Sequence, residues 1–437
     1  ELEAIEARDP LLMSAEIALE AGLLSPDGLL AKYENIRERV QAAATKAAST
    51  PKLTSRDAVI KPLAPYTADA VNKEAQRAYY QQARLAAFGS DNKLPEKQPA
   101  RHLAILINRA LHDLMAKYPQ MTLFGEDVAQ KGGVYTVTSG LHNTFKGQRV
   151  FNTLLDETTI LGMAQGQATM GLLPFPEIQY LAYFHNACDQ IRGEAASLQF
   201  FSNNQYSNGM VMRIASLAYQ KGFGGHFHND NSFTALRDIP GLIIACPSRG
   251  DDAAMMLRTL AALAYVNGRV CAFLEPIALY MTKDLHNAKD GEWQFEYPAP
   301  DRAIPLGEGR VYNPTAKDLL IITFGNGVPM SLRVAKQIEE KTGKQVRVLD
   351  LRWLKPLNTE WIAQHANDIG KVLVVDEGRR TGGIAEEIFT HIDEHCDNNV
   401  IKKRVAGEDT YIPLADAANL VLVQEEEIRQ AADKLLN

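Results

Sequence analysis

Residues 149–181 read RVFNTLLDETTILGMAQGQATMGLLPFPEIQYL. The first apolar segment predicts a strand, the part beginning ETTILGMAQG predicts a helix with small residues on one face, and PFPEIQY predicts a second strand. A strand, a helix and a strand in this order favour a parallel sheet that is covered by helices on both faces.

The same alternation continues on both sides of this stretch. We predict an amphipathic helix at 101–120 and strands at MTLFGEDV (121–128), GMVMRIA (209–215) and GLIIACP (241–247). Together with the central stretch, these elements predict an α/β domain over residues 101–300.

Three further short apolar segments predict strands of a second sheet. They are DLLIITFG (318–325), QVRVLDLRW (345–353) and KVLVVDE (371–377), and helical segments separate and follow them. A second, smaller α/β domain is therefore predicted over residues 301–437. The predicted fold class is α/β, with two parallel-sheet domains.

The first hundred residues have a different character. Residues 1–48 predict helices, with Ser25 as an N-cap and Pro26 just inside the helix that follows. Residues 49–100 are poor in large aliphatic side chains and rich in Lys, Ala, Gln and Pro, which is typical of a linker. We therefore expect a helical arm and a linker before the two domains.

Composition and charge exclude several classes of function. The 437 residues include 46 Lys and Arg against 53 Asp and Glu, a formal net charge of −7. This balance argues against a nucleic-acid groove or a basic membrane patch, because both need a cationic face. No apolar segment approaches the roughly 20 residues that span a bilayer. The 4 cysteines are far apart and indicate a reducing compartment, such as the cytoplasm or the mitochondrial matrix.

Few side chains stand out for chemistry on their own. Asp156 and Glu157 lie at a predicted helix N-terminus, where acids are commonly capping residues. Aromatic side chains such as Tyr183 at a strand end are more often core residues. His226 and His228 point in opposite directions on an extended segment, so at most one faces a given site. No third ligand is spaced to support a metal centre.

Six segments, taken in order, favour a functional role for these residues over a purely structural one. They are LFGEDVAQKGGVY (123–135), RVFNTLLDETTILGMAQG (149–166), PEIQYLAYFHNACDQIRGEAA (176–196), HNDNSFTALRDIPGLIIACPS (228–248), VRVLDLRWLKPL (346–357) and VVDEGRRTGGIAEEI (374–388). In order and spacing they resemble the beta chain of the thiamine-diphosphate-dependent, decarboxylating component of 2-oxo acid dehydrogenase complexes. The resemblance implies a pyrimidine-binding domain followed by a transketolase-like C-terminal domain.

The resemblance also implies roles for particular residues. Glu157 matches the glutamate that hydrogen-bonds a ring nitrogen of the cofactor's aminopyrimidine and so promotes deprotonation of the thiazolium carbon. Leu155 is expected to line the same pocket, Gln179 to lie nearby and Tyr183 to stack on the pyrimidine ring. His228 matches the histidine used around decarboxylation and acyl transfer, where an imidazole can donate or accept a proton near neutral pH.

The chain departs from the family pattern at several positions. Ala182 stands where the family usually has an acid, and His185 and Asn186 replace an apolar residue and a proline. The glycine-rich turn before the active-site loop is altered to SLAYQKGFGG (216–225). These departures bear on the substrate and leave Glu157, Tyr183 and His228 in place.

The resemblance further implies partners that this chain does not supply. The family binds the cofactor's diphosphate and Mg²⁺ through a G-D-G motif on its alpha part, and this sequence has no G-D-G. Residues 1–48 resemble the end of an alpha chain, with D-P-L-L at 9–12, so we expect a fragment of a fused alpha–beta enzyme. An alpha part, a lipoyl acyltransferase and a further copy of the chain are the expected partners.

The expected activity is oxidative decarboxylation of a 2-oxo acid, branched-chain or pyruvate, with acyl transfer to a lipoyl domain. One alternative is a transketolase-like thiamine enzyme, whose substrate pocket needs histidines and arginines for sugar phosphates. A second alternative is a non-catalytic scaffold chain of a dehydrogenase complex. The joint presence of Glu157, Gln179, Tyr183 and His228 argues against the scaffold.

Overall fold

The computed structural model describes residues 2–217, 225–396 and 399–437. The chain forms two compact units, one ending at Val59 and one beginning at Ile60. Within the described ranges, no helix is both long enough and apolar enough to cross a bilayer.

The first unit is helical. Its helices are α1 Leu2–Glu6, α2 Pro10–Glu20, α3 Pro26–Ala48 and α4 Arg56–Ile60, the last of which ends at the first residue of the second unit. The predicted cap of α3 is confirmed, because the Gly28 amide donates to the Ser25 hydroxyl at 3.1 Å and Pro26 occupies the first turn.

The second unit contains both sheets and the remaining helices. Its helices are α5 Ala68–Ala75, α6 Gln81–Phe88, α7 Leu103–Lys117, α8 Leu141–Phe145, α9 Glu157–Thr169, α10 Leu198–Phe201, α11 Gly225–His228, α12 Thr234–Arg237, α13 Gly250–Asn267, α14 Gly327–Thr342, α15 Thr359–Ile369, α16 Ile384–His395 and α17 Glu425–Leu436. Its strands are β1 Met121–Gly125, β2 Val150–Asn152, β3 Leu173–Ile178, β4 Met210–Ser216, β5 Ile243–Ala245, β6 Val270–Pro276, β7 Arg310–Tyr312, β8 Leu319–Thr323, β9 Val346–Asp350, β10 Trp353–Lys355, β11 Lys371–Arg379 and β12 Ile401–Gly407.

The two predicted parallel sheets are confirmed. The first has the order β10-β5-β6-β4-β3-β1-β2 and is parallel except at β10, which pairs antiparallel with β5. The second has the order β12-β11-β8-β9-β7, with only β7 antiparallel. Strand β10 belongs in sequence to the second domain, so one sheet contains residues of both domains, and Trp353 lies opposite Ala245.

Residues 60–100 pack onto the first sheet's helices. Val71 and Ala75 of α5 are fully buried in the core that α7 and α13 share. Within this segment Arg84 donates to Asp113 at 2.7 Å and to Glu96 at 2.8 Å, although Arg84 is almost completely buried. These contacts anchor the segment that the sequence marks as the second half of a linker.

Local elements differ from the sequence prediction at two places near the candidate site. The sequence HNACDQIRGEAASLQFF (185–201) predicts one continuous helix. The structure instead forms a 3₁₀ turn at Leu181–Ala187, a π-helical turn at Gln190–Ala195 and α10. His226 and His228 lie on the one-turn helix α11 and not on an extended segment. Two residues are about 200° apart on a helix, so the two side chains still face different ways.

Candidate active site

Two buried carboxyl groups meet at the carboxyl edge of the first sheet. Glu126 follows β1, and Glu157 begins α9 a few residues after β2, which is the parallel neighbour of β1. Both are buried, with exposed fractions of 8% for Glu126 and 3% for Glu157. Since parallel strands end on the same edge of a sheet, the two acids come together although the sequence separates them.

The proximity of the two acids changes the protonation of Glu126. Burial, followed by the charge of Glu157, raises the pKa of Glu126 to about 7, with smaller contributions from Asp127 and Glu177. Glu126 Oε1 is buried and has no hydrogen-bond partner within the described ranges. A buried carboxyl group that shares its environment with a second acid and titrates near neutrality can hold a proton for a reaction.

Asn186 is the hydrogen-bond donor to Glu157. Its Nδ2 donates to Glu157 Oε2 at 3.3 Å, and its backbone oxygen accepts from the Thr158 hydroxyl at 2.9 Å. The turn at 181–187 therefore contacts the first turn of α9 at two points. Asn186, which stands where the family usually has a proline, thus donates its side-chain amide to Glu157, the residue to which the resemblance gives the central role.

Aromatic rings connect this acid pair with His228. The rings of Tyr180 and His228 are 4.9 Å apart and nearly perpendicular, and the rings of Tyr183 and His228 are 6.1 Å apart. Burial raises the pKa of the Tyr183 hydroxyl, with further contributions from Tyr180, Glu126 and Glu157. Tyr183, His228 and the two acids therefore occupy one region of the second unit.

The other two predicted site residues lie at the margins of this region. The Leu155 side chain is 76% exposed, so it does not line a closed pocket in this chain. Gln179 lines a narrow cleft together with Glu177, Arg213 and Tyr135. The structure thus brings Glu157, Tyr183 and His228 together and places Gln179 towards the ion network beneath them.

That ion network lies on three adjacent strands of the sheet. Arg213 on β4 donates to Glu177 on β3 at 2.6 Å and to Glu275 on β6 at 2.7 and 3.0 Å. The Tyr280 hydroxyl donates to Glu275 at 2.6 Å. All four side chains are buried, so the guanidinium holds two carboxylates that would otherwise be buried without a cation.

Gly125, the last residue of β1, lies too close to Glu177 of β3 to carry a side chain. Gly125 has φ +157, and a Cβ there would lie 2.8 Å from the Glu177 backbone oxygen. Any side chain at this position would push β1 away from β3, and Glu126, the next residue, would move with it.

Sequence reasoning did not single out Glu126. Glu126 lies in the motif LFGEDV, and an acid directly after a strand that neighbours the Glu157 strand was the available signal. Residues 218–224 of the altered glycine-rich turn (216–225) lie outside the described ranges. The sequence shows no ligand spacing typical of a nucleotide-bound magnesium or of a zinc site. Among the described residues, no group of three or more His, Cys, Asp or Glu side chains could hold a metal ion.

The family assignment rests on both domains. Residues 100–282 match the family described as Transketolase, pyrimidine binding domain, and residues 307–428 match Transketolase, C-terminal domain. The fold and these matches define a chain with the pyrimidine-binding domain and the C-terminal domain of a thiamine-diphosphate-dependent enzyme.

Curated relatives then specify the family. The chain is 34% identical over 306 residues to the 2-oxoisovalerate dehydrogenase subunit beta of Bacillus subtilis, covering 69% of this chain and 88% of that protein. It is 30% identical over 337 residues to the pyruvate dehydrogenase E1 component subunit beta of Staphylococcus aureus, covering 76% and 97%. The chain belongs to the family of beta subunits of thiamine-diphosphate-dependent 2-oxo acid dehydrogenases.

A solved structure shows the same fold at lower sequence identity. The match to the chain titled "Split gene transketolase, inactive beta4 tetramer" has a TM-score of 0.60 and 19% identity, and covers 77% of this chain and 98% of that chain. At this identity the likeness concerns the fold.

The protonation of Glu126 predicts a pH-dependent stability. The folded-state pKa lies above the ordinary value of 4.5, so the stability associated with the neutral acid is complete below about pH 4.5 and is lost as the pH rises through about 7. Glu126→Gln cannot ionise. We expect it to be more stable than wild type at pH 8 by about 1–3 kcal/mol, and by much less at pH 5, in urea unfolding of the chain alone.

The control for this measurement is Glu340→Gln, at an exposed position of α14. Its difference from wild type should be the same at both pH values. An equal difference for Glu126→Gln at pH 5 and pH 8 would show that Glu126 titrates in the ordinary range.

Proposed function

We propose that this chain supplies the aminopyrimidine side of the active site of a 2-oxo acid dehydrogenase, with Glu157 and His228 as catalytic residues. The observation that carries the proposal is the buried pair of Glu126 and Glu157 beside Tyr183 and His228. The reaction is oxidative decarboxylation of a 2-oxo acid with acyl transfer to a lipoyl domain, in agreement with the names of the relatives.

The residues present fit an aminopyrimidine ring. Glu157 is a buried acid that can exchange a proton with a ring nitrogen, and Glu126 next to it carries an unpaired buried oxygen. Tyr183 is only partly buried, so its ring can contact a second flat ring. Leu155 is exposed beside the acid pair and is available to cover the ring from the outside. When bound, thiamine diphosphate supplies the nucleophilic carbon that attacks the 2-oxo acid.

Glu157 is suited to form a hydrogen bond with a nitrogen of the pyrimidine ring. Asn186 donates to one of its oxygens, which leaves the other oxygen for the ring nitrogen. Glu126, whose pKa is raised to about 7 by burial and by the charge of Glu157, can exchange a proton with the site at neutral pH.

His228 is suited to proton transfer at the acyl group. It lies against Tyr180 and Tyr183, and an imidazole can donate or accept a proton. Its position 6.1 Å from the ring of Tyr183, the proposed pyrimidine contact, supports a role beside the cofactor. Gln179 is assigned a supporting position between this site and the Arg213 network.

The diphosphate and Mg²⁺ are proposed to be held by an alpha partner. The G-D-G motif is absent from this sequence, and the formal net charge is −7, so the chain offers no evident anion site of its own. The family's beta subunits are partnered by an alpha subunit and form oligomers. Exposed apolar side chains flank the acid pair and α9, namely Leu154, Leu155 and Met170. These side chains support a protein partner at the face where the second half of the site belongs.

A lipoyl acyltransferase and a second copy of this chain are the further proposed partners. Branched-chain 2-oxo acids are the first proposed substrates and pyruvate the second, because the relatives' names include both classes. The transketolase alternative receives less support, because the dehydrogenase relatives share 30–34% identity with this chain and the transketolase structure shares 19%.

Glu157→Gln tests the proposed acid directly. The variant keeps the shape of the side chain and removes its ionisable proton, so hydrogen–deuterium exchange at the reactive carbon of the bound cofactor should slow by about 100-fold or more. NMR of quenched samples of the complex with the alpha partner measures this rate. The neighbouring exposed acid provides the control, and Asp156→Asn should stay within about threefold of wild type. Exchange at the wild-type rate in Glu157→Gln would return Glu157 to a capping role.

His228→Asn tests the proposed acyl-side residue. Turnover of the complete enzyme should fall by about 10²–10⁴-fold while thiamine diphosphate affinity stays nearly unchanged, because general acid–base groups act on the reacting atoms. His226→Asn is the matched control, since His226 faces Tyr411 at a ring distance of 5.3 Å. Turnover of His228→Asn within a few fold of wild type would make His228 a bystander.

The chain alone is expected not to bind the cofactor well. One or two hydrogen bonds contribute about 0.5–1.5 kcal/mol each, and an aromatic contact adds roughly the same amount. This sum, at most about 4.5 kcal/mol, does not clearly exceed the association cost of about 4–15 kcal/mol, so we expect a Kd of about 1 mM or weaker, and no decarboxylation with or without Mg²⁺. Calorimetric titration with thiamine diphosphate and Mg²⁺ measures it. Micromolar binding by the chain alone would reveal a diphosphate site within it.

A further inference from the structure

The loop that follows His228 is bonded to the C-terminal domain. Arg379, the last residue of β11, donates from Nη2 to Asp230 Oδ1 at 3.2 Å and from Nε to the Thr410 backbone oxygen at 3.1 Å. Asp230 is two residues after His228. We propose that Arg379 is a positioning residue that holds the His228 loop in its productive place, an inference that rests on the proposed role of His228.

Asp230 is the centre of the loop's hydrogen bonds. Its Oδ1 accepts from the backbone amides of Asn231 at 2.9 Å and Ser232 at 3.2 Å, and its Oδ2 accepts from the Ser232 hydroxyl. The side chain of Asp230 therefore organises the backbone of its own loop and at the same time receives the guanidinium of Arg379. Moving Arg379 away would disturb the group on which the loop is built.

A second bond joins the same loop to the same strand. Asn231 Nδ2 donates to the Glu377 backbone oxygen at 2.8 Å, and Asn231 is almost completely buried. Gly407 makes room for this contact, because a Cβ there would lie 3.1 Å from Asn231 Nδ2. Two successive residues of the His228 loop, Asp230 and Asn231, therefore contact β11.

Burial makes the ion pair important for the loop. Asp230 is 8% exposed. Burial raises the pKa of Asp230, but hydrogen bonds from His185 and Ser232 and the charge of Arg379 outweigh that effect, so its pKa is lowered and it is ionised. A buried carboxylate that loses its cation is strongly unfavourable, so the loop would move to bring Asp230 into water.

Packing holds the far end of the loop, where Phe233 and Leu236 are fully buried in the core. A cavity of about 870 Å³ lies along the loop, and its lining includes His185, Asp230, Ser232, Arg379 and Tyr411. Asp230 and Ser232 border this open space, so this part of the loop lacks close packing on one side. There the polar bonds to β11 help to hold the residues that directly follow His228.

Hydrogen exchange of the full chain tests the proposal without cofactor or partner. Arg379→Met keeps the aliphatic length and removes the charge and the donors, and amides of residues 229–236 should exchange about 10-fold faster, while peptides from α7 and α13 stay unchanged. Arg379→Lys should recover part of the protection. Arg380→Met, at the adjacent exposed arginine, is the matched control and should match wild type throughout.

Two results would overturn the proposal. One is wild-type exchange of residues 229–236 in Arg379→Met. The other is faster exchange across the whole chain, which would make Arg379 a general stability residue. If Arg379→Met does not fold, Asp230→Asn removes the charge of the other partner, and it should accelerate exchange in the same residues only.

Kinetics with the alpha partner complete the test. For a positioning residue, Arg379→Met should lower kcat about 10-fold and leave the affinity for thiamine diphosphate within threefold of wild type. Unchanged kcat together with faster loop exchange would also contradict the proposal. Failure of the proposed function would show differently, because a wild-type complex without activity leaves the exchange result intact.

Discussion

Two carboxyl groups buried side by side, Glu126 and Glu157, constrain the site and the surfaces around it. Burial, followed by the charge of Glu157, disfavours the ionised form of Glu126 and raises its pKa to about 7. The parallel order of β1 and β2 creates the pair, because it brings the ends of both strands to one edge. The glycine before Glu126 keeps β1 close enough to β3 for the acid to remain there.

The sheet beneath the acid pair is stabilised by charge as well as by apolar packing. Arg213 joins three strands through two carboxylates, and Gln179 lines the cleft beside this network. Breaking a buried pair by removing one partner typically costs about 3–5 kcal/mol. Such a network resists small displacements, so the strands that end at the site keep their relative positions.

The two α/β domains are joined by several independent contacts. Strand β10 extends the first sheet, and Arg352 on the second domain donates to Asp252 on α13 at 2.9 Å through two nitrogens. Arg310 reaches the same carboxylate at 2.6 Å. Because these groups are buried or partly buried, the ion pairs hold the C-terminal domain firmly against the first α/β domain. The contact between Arg379 and Asp230 extends the same arrangement to the His228 loop.

The sequence by itself determined the alternation of strands and helices, the two sheets and the candidates Glu157, Tyr183 and His228. Strand and helix periodicity is a local property, and the motif order identifies site residues without coordinates. The sequence did not determine the pairing of β10, the irregular turns after β3 or the burial of Val71 and Ala75. Each of these depends on packing against residues that are far away in the chain. Only the tertiary structure decided that Glu126 meets Glu157, that Asn186 donates to Glu157 and that Arg379 meets Asp230. In each case the partners are far apart in the chain, and the parallel strand order and the domain interface bring them within hydrogen-bond or charge range.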